Sequence, residues 1–170
     1  MREQLGDDFV DMHFAEDQEI EQLTAVESAA DQVFNEAGIQ NLPPAASSSE
    51  LKTAKALIVA GNPPIGFVRI EEIDANAHLE QLSVIPEESG KGTGGRLLEQ
   101  ACRWATEHGY STMTLSTFRD IEWNAPFYAK HGFEILTELT PGLENLRQHE
   151  IEIGLDKIGP RVVMARVLAG

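Results

Sequence analysis

Cysteine is almost absent from this sequence, with Cys102 the only one among 170 residues. A single cysteine cannot form an internal disulfide, so the fold depends on a hydrophobic core that a chain of this length is able to bury. We therefore expect one domain over residues 1–170 and a reducing, cytoplasmic environment. Cys102 lies in a predicted helix, where a free cysteine packs as a small apolar side chain.

Long apolar runs are also absent. No segment approaches the roughly 20 apolar residues of a membrane span, and residues 1–8 lack the apolar stretch of a signal peptide. The sequence therefore predicts a soluble, unprocessed protein without a membrane partner.

Basic residues are scarce, because 13 Lys and Arg stand against 28 Asp and Glu and give a net charge of −15. Phosphate backbones require dense positive patches, so this balance argues against nucleic-acid binding. A cationic partner fits the charge better, although an acidic surface also simply confers solubility. No metal site is predicted, because four of the histidines lack metal-ligand spacing with one another and with Cys102. These are His13, His108, His131 and His149.

Apolar periodicity and turn residues divide the chain into strands and helices. Three apolar runs separated by short polar turns predict an antiparallel meander. The predicted strands are 10–14, 56–60, 65–73, 78–84, 111–117, 133–136 and 161–168. The predicted helices are capped by Asp17, Ser49 and Asn124 or begin near Gly92, the last ending near His108. Residues 137–160 show no regular pattern.

The most informative segment is a glycine-rich turn between a strand and a helix. Gly90, Gly92, Gly94 and Gly95 crowd the residues around the start of the helical pattern. Several backbone N–H groups and a helix N-terminus converge on one anion in such a turn. The segment therefore predicts a phosphate cradle, and its alternative is a tight turn without a ligand.

Three of these glycines, Gly90, Gly92 and Gly95, also satisfy the dinucleotide-binding motif G-x-G-x-x-G. The sequence before the glycines does not fit a dinucleotide-binding fold, because residues 86–89 separate the glycines from the preceding strand. That strand is also predicted to be antiparallel to its neighbours. A P-loop also fails, since Lys91 is followed by glycine instead of serine or threonine. A dinucleotide oxidoreductase is therefore disfavoured.

Two blocks of the sequence resemble the GCN5-related N-acetyltransferase (GNAT) superfamily. The first, from Leu82 to Leu98, contains Ser-Gly-Lys-Gly-Thr-Gly at 89–94 and looks like the acyl-CoA-binding segment of that family. The second, Trp123 to Phe133, is similar to the family's asparagine, tyrosine and Gly-Phe segment. One departure is Ser89, which stands where the family usually has glutamine or arginine.

The resemblance implies an α+β fold in which a central, mostly antiparallel, splayed mixed sheet is flanked by helices. It also implies acetyl-CoA as the acyl donor, with its pyrophosphate on the glycine turn and its pantetheine arm along the strand before it. The residues assigned to acetyl-CoA on this basis are Leu82, Ser83, Val84, Ser89, Gly90, Lys91, Gly92, Thr93, Gly94, Gly95, Arg96, Asn124 and Phe127. Asn124 also suits a helix cap, Phe127 also suits the core, and Lys91 and Arg96 also suit an ordinary surface.

The resemblance places Tyr128 near the thioester sulfur as a general acid, with core packing as its alternative. An incoming ammonium group must lose a proton before it attacks, and the candidate bases are Glu80, His78 and a water chain. Glu80 acting through water is preferred, with an ordinary surface position as its alternative, and Glu122 is a lesser candidate. Strand alternation puts Glu80 and His78 on the face of Leu82 and Val84, unless a bulge near Leu82 reverses that parity.

These residues predict an enzyme that transfers acetyl from acetyl-CoA to a primary amine of a small molecule or a peptide. The alternative is a non-catalytic acyl-CoA sensor or interaction module on the same fold. A homodimer is a further expectation, because dimers are common in the family.

Overall fold

The computed structural model describes residues 10–168. Its strands are β1 (Met12–Phe14), β2 (Ala56–Ala60), β3 (Gly66–Ile73), β4 (Asn76–Val84), β5 (Thr112–Phe118), β6 (Glu134–Ile135) and β7 (Arg161–Val167). Its helices are α1 (Asp17–Glu36), α2 (Ser48–Lys52), α3 (Thr93–Glu107), α4 (Ala125–Lys130), α5 (Pro141–Glu152) and α6 (Leu155–Ile158). The strands form one seven-stranded sheet in the order β1-β2-β3-β4-β5-β7-β6.

The sheet confirms the predicted mixed architecture. Strands β2, β3 and β4 form the antiparallel meander, and β7 is antiparallel to both of its neighbours, β5 and β6. Strands β4 and β5 run parallel, because α3 connects them as a crossover helix. The glycine turn before α3 therefore lies at the carboxyl end of β4.

Helix starts depart slightly from the sequence prediction. Asp17 is the first helical residue of α1, and the capping residue is Glu16, whose N–H donates to the Glu19 carboxylate at 3.0 Å. Ser47, not Ser49, caps α2 and accepts a hydrogen bond from the Glu50 N–H at 3.2 Å. A capping box needs a glutamate three residues after the cap, and Ser47 satisfies that spacing whereas Ser49 does not.

The two faces of the sheet carry separate cores. Helix α3 packs on one face, here called the α3 face, with buried residues that include Val68, Leu79 and Leu115. Helices α1 and α2 cover the opposite face, the α1 face, around a second core that includes Leu23 and Phe67. Strand alternation divides the side chains between them, as burial of the apolar ones requires.

The centre of the sheet opens between β4 and β5. The two strands pair only at Ala77 with Met113 and at His78 with Thr114, although β4 continues to Val84 and β5 to Phe118. We call the opening between residues 79–84 and 115–118 the split. It is the splay that the family resemblance implied.

Residues 137–160, which showed no regular pattern, contain α5 and α6, so the prediction of an irregular segment was wrong. Only Leu143 and Glu150 are buried among the residues described in α5. An apolar stripe is the signal from which a helix is predicted, and α5 has a buried carboxylate in place of most of it. Asp74, at the tip of the β3–β4 hairpin, accepts the Gly142 N–H at 2.8 Å and so holds the start of α5.

Within residues 10–168, no helix has both the length and the apolar character needed to cross a membrane. The same residues contain no group of three or more His, Cys, Asp and Glu side chains arranged to hold a metal ion.

Candidate active site

The glycine turn has the backbone geometry of an anion cradle. Gly90 and Gly92 adopt positive φ angles of 77° and 84°, which favour glycine. The first hydrogen bond inside α3 runs from the Arg96 N–H to the Gly92 carbonyl at 3.1 Å. The N–H groups of the first turn, from Thr93 to Gly95, therefore have no helical acceptor and are available to an anion at the positive end of the helix dipole.

A buried hydroxyl adds a further polar group to this turn. Thr93 is 1% exposed, and its Oγ1 finds no hydrogen-bond partner among the residues that the structure describes. Leaving a buried hydroxyl unpaired costs of order 1–3 kcal/mol, so such groups are rarely left alone. Thr93 therefore fits a turn that is completed by an oxygen-rich ligand.

The polar side chains of the turn are bonded to the turn itself. Lys91 Nζ lies 3.1 Å from the Glu88 carboxylate, and Arg96 Nη1 donates to the Lys91 carbonyl at 3.3 Å. The Ser89 N–H closes a single 3-10 turn, Pro86–Glu88, on the Pro86 carbonyl at 3.1 Å, and the Ser89 hydroxyl donates to the same carbonyl at 2.8 Å. Ser89 thus keeps the shape of the loop, and the donors for an anion come mainly from the backbone.

The start of α3 packs closely against its surroundings. A Cβ on Gly95 would lie 3.2 Å from the His131 ring, and one on Gly94 would lie 3.9 Å from both Val84 and Phe127. Phe127 therefore lies beside the first turn of α3, next to the glycine turn. Small residues at 94 and 95 let α3 and α4 meet at this point.

Strand β4 presents an unpaired edge beside the glycine turn. Beyond His78 it pairs with none of residues 10–168 on the β5 side, whereas its other side pairs with β3 as far as Val84. Leu82 and Val84 pack on the α3 face, and buried Ser83 accepts a hydrogen bond from Gln81 Nε2 at 2.8 Å on the other face. The free backbone groups of residues 79–84 can therefore pair with an extended, amide-containing chain.

Tyr128 lies on α4 and packs against the core of the α3 face. Its ring contacts the rings of Phe127 and Phe133, with centroid distances of 5.2 and 5.8 Å. Burial raises the pKa of the phenol above its ordinary value of 10.0, and Arg161 acts in the opposite direction. The hydroxyl therefore stays protonated at neutral pH, as a proton donor must.

Asn124 precedes α4, but its side chain does not cap the helix. Its Oδ1 accepts hydrogen bonds from the Thr117 hydroxyl at 2.7 Å and from the Phe118 N–H at 3.4 Å. Asn124 therefore occupies the predicted N-cap position of α4, but its side chain bonds the end of β5 instead of the helix. Asn124 ties α4, and with it Tyr128, to the far side of the split.

A bulge in β4 decides where Glu80 lies. Arg69 of β3 pairs with Gln81, while the next residue, Ile70, pairs with Leu79, so Glu80 is the extra residue. The bulge reverses the parity of the strand, and Glu80 and His78 share the α1 face while Leu82 stays on the α3 face. The sequence had left this orientation open, and the bulge settles it.

Glu80 has charged groups on several sides, and 37% of its side chain is exposed. Burial raises the pKa of its carboxyl above the ordinary value of 4.5. Arg69 and Arg161 lower that pKa, and Glu71 and Glu150 raise it. Because Arg161 acts on the pKa of both Glu80 and Tyr128, the structure brings the two predicted catalytic residues close to one guanidinium group.

A buried ion network covers the β5 side of the split. Glu150 of α5 accepts from Arg161 Nη2 at 2.8 Å, from Arg147 Nη1 at 2.6 Å and from the Ser116 hydroxyl at 2.8 Å. Arg161 also lies over the Phe118 ring, 4.5 Å from its centroid. These bonds hold α5 against β5 and β7 beside Glu80.

Two carboxylates of α1 lie one helical turn apart on the same face of the sheet as Glu80. Burial raises the pKa of Glu27 to about 7 and that of Asp31 to about 6. Arg69 lowers the pKa of both Glu27 and Glu80, so all three groups belong to one neighbourhood. The α1 face beside the split is therefore lined by acidic groups.

Sequence reasoning named Tyr128, Glu80 and His78 but missed the groups around them. Glu27 follows Leu23 by four residues, so it interrupts the buried stripe of α1, and a carboxylate at such a position is a signal that the sequence contained. Glu150 and Arg161 gave no such signal, because their pairing depends on how α5 and β7 meet.

Comparison with known proteins finds similarity to N-acetyltransferases. A model of the acetyltransferase (GNAT) domain matches residues 53–135. The chain is similar to an uncharacterized N-acetyltransferase, YjcF, of Bacillus subtilis, with 29% identity over 113 residues that cover 64% of this chain and 79% of the relative. The matched domain includes β2 to β6 and therefore the glycine turn, the split and Tyr128.

Solved structures share the fold. The PaiA N-acetyltransferase of Thermoplasma acidophilum, solved with coenzyme A, has a TM-score of 0.66 and 18% identity, with 93% of this chain and 98% of that one covered. The N-acetylglutamate synthase of Neisseria gonorrhoeae, solved with coenzyme A and N-acetyl-glutamate, has a TM-score of 0.71 and 18% identity. That match covers 95% of this chain and 36% of the synthase.

Proposed function

Because this chain belongs to the GCN5-related N-acetyltransferase superfamily of acyltransferases, we propose that it transfers acetyl from acetyl-CoA to a primary amine. The observation that carries the proposal is the split, which places Glu80 on one face and Tyr128 on the other around an unpaired edge of β4. A thioester that enters along this edge meets a proton acceptor and a proton donor.

Acetyl-CoA has chemical groups that match the donors described above. Its pyrophosphate suits the backbone N–H groups of the α3 N-terminus and the Thr93 hydroxyl. Its pantetheine arm contains two amides, which suit the free edge of β4 at Leu82 to Val84. Phe127 lies beside the first turn of α3 and Asn124 is bonded to the end of β5, and we assign both to acetyl-CoA binding. Relatives of known structure bind coenzyme A on the same fold, which supports this assignment.

The proposed reaction is direct attack on the thioester. Glu80 accepts one proton from the ammonium group, through water, and the free amine forms a C–N bond to the acetyl carbonyl carbon. The backbone N–H of Val84 stabilises the oxyanion. The C–S bond then breaks, Tyr128 gives its proton to the leaving thiolate, and the second amine proton replaces it. Glu80 releases its proton to solvent, which leaves the acetamide and coenzyme A.

The acceptor that we propose is a cationic amine with more than one positive charge. Glu27 and Asp31 lie on the α1 face near Glu80, and the whole chain carries a net charge of −15. A second ammonium group bound near these carboxylates lowers their raised pKa values and offsets the energetic cost of their burial. Polyamines and lysine-containing peptides have this charge pattern.

The test is acetyl-CoA-dependent release of thiol with a panel of monoamines, diamines, polyamines and peptides. We expect acetyl-CoA to raise the melting temperature and thiol release to be faster with polycationic amines. Glu80→Gln should lower the rate by roughly 10²-fold or more, whereas Glu72→Gln, at an exposed site on β3, should not.

Two results would contradict the proposal. If acetyl-CoA neither stabilises the protein nor supports thiol release, the acyltransferase assignment fails for this chain. If acetyl-CoA stabilises the protein and no amine is acetylated, the chain is an acyl-CoA-binding module.

A further inference from the structure

His78 is almost fully buried in the centre of the sheet, with 2% of the residue exposed. It forms the last pair of the β4–β5 ladder, with Thr114, immediately before the two strands separate. Its side chain bridges the ladder as well, since Nδ1 lies 2.8 Å from the Thr114 hydroxyl oxygen. The imidazole is therefore fixed at the closed end of the split.

The other ring nitrogen faces the proposed base. His78 Nε2 lies 3.6 Å from Oε2 of Glu80. That separation is longer than a hydrogen bond, so the contact is electrostatic, and a small rotation of the Glu80 side chain shortens it. Burial lowers the pKa of His78 to about 4, so the ring is neutral at neutral pH and carries a single N–H.

The surroundings decide which nitrogen holds that proton. The Thr114 oxygen lies 2.8 Å from Nδ1, a contact in which either atom can be the donor, and the Thr114 hydroxyl also donates to the Ala77 carbonyl at 3.5 Å. The Glu80 carboxylate beside Nε2 favours the tautomer whose ring proton is on Nε2. The opposite tautomer would set a nitrogen lone pair against an ionised carboxylate in a poorly solvated site, which is unfavourable.

We propose that His78 is a positioning residue, which uses its Nε2–H to orient the Glu80 carboxylate and keep it in the ionised form that accepts a proton. Thr114 holds Nδ1 at the closed end of the split, and the bulge at Glu80 brings the carboxylate onto the same face as the imidazole. This inference rests on the function proposed above, because it assigns Glu80 as the base of that reaction.

The other charged groups around the pair are fixed by neighbouring elements. Those that act on the pKa of Glu80 are Arg69 and Glu71 of β3, Glu150 of α5 and Arg161 of β7, and Glu150 also acts on His78. Because both arginines have carboxylate partners, at Glu71 and Glu150, the His78 N–H is a donor that the ion pairs do not replace.

The experiment compares His78→Met with His78→Gln in the full chain. Methionine removes the N–H, whereas the glutamine amide carries a donor where Nε2 lies. We expect the acid limb of the kcat profile, measured with saturating amine, to move up by about one pH unit in His78→Met, which is a roughly tenfold loss below the limb. His78→Gln should keep the limb near that of the unchanged protein. Equal limbs in His78→Met and the unchanged protein would overturn the proposal.

A second measurement requires no substitution. Nitrogen chemical shifts of His78 in the folded, isotope-labelled protein report its tautomer directly, and we expect the Nε2–H form. The Nδ1–H form would overturn the proposal, even if both variants failed to fold.

Glu80→Gln separates the inference from the proposed function. If this variant keeps full activity and its acid limb, Glu80 is not the base and the proposed mechanism fails. If it loses activity while His78→Met leaves the limb unchanged, only the role of His78 is wrong.

Discussion

At the scale of the residue, the two tyrosines of the chain form a natural pair for comparison. Tyr110 lies near the surface, and its hydroxyl donates to the Glu72 carboxylate at 2.6 Å. Tyr128 lies against the core beside the split, where burial raises the pKa of its phenol. Only Tyr128 is the proton donor in the proposed reaction.

We expect Tyr128→Phe to lower kcat by roughly 10²-fold, at the low end of the range for general acid catalysis, because a thiolate leaves readily without a proton. The affinity for acetyl-CoA should change little. Steady-state kinetics with an accepted amine provide the measurement, and Tyr110→Phe is the matched control. An unchanged kcat in Tyr128→Phe would remove the phenol from the mechanism.

At the scale of the element, α3 has a glycine in the same backbone conformation near each end. Gly92 precedes the helix and Gly109 follows it, and each has a φ angle of 84°. A Cβ on Gly92 would lie 3.1 Å from Arg96 Nη1, whereas a Cβ on Gly109 would meet nothing within 4 Å. The two sites thus share a backbone conformation that disfavours alanine but differ in their distance from the proposed phosphate cradle.

Replacement of either glycine by alanine should cost about 1–2 kcal/mol of folding free energy, because alanine resists positive φ. Gly92→Ala should in addition weaken acetyl-CoA binding by tenfold or more, since the cradle depends on the shape of this turn. Calorimetric titration of acetyl-CoA measures the effect, and Gly109→Ala should bind it normally. Equal affinities in both variants would place the pyrophosphate elsewhere.

At the scale of the whole molecule, the excess of acidic residues creates a field that attracts cations. The α1 face beside the split carries the carboxyl groups of Glu27, Asp31 and Glu80, which attract a cation when they are ionised. The glycine turn is an exception, because helix N-terminal N–H groups, Lys91 and Arg96 supply positive potential there.

Added salt should therefore raise the KM of a triamine several-fold between about 0.05 and 0.5 M, because counterions screen the attraction. The KM of a monoamine should rise less, and kcat should change little for either. Initial rates at several ionic strengths are the measurement. Equal increases for the two amines would show that the acidic α1 face does not contribute to acceptor binding.

Much of the fold could be predicted from local signals. Residues 56–60, 65–73 and 78–84 gave the meander because β-branched runs and polar turns are local properties, and α3 was placed within one residue at each end. Helix α5 was not predicted, because its inward face is held by Glu150 and its arginine partners. A salt bridge between distant residues leaves no periodic pattern.

The sequence by itself determined the glycine turn, the tyrosine and the candidate bases, because glycine content, helix spacing and residue chemistry do not depend on distant contacts. Only the tertiary structure decided how they are used. The bulge put Glu80, the candidate base, on the α1 face, and the early end of the β4–β5 ladder opened the split. Both are properties of strand pairing, which is fixed by residues far apart in the chain.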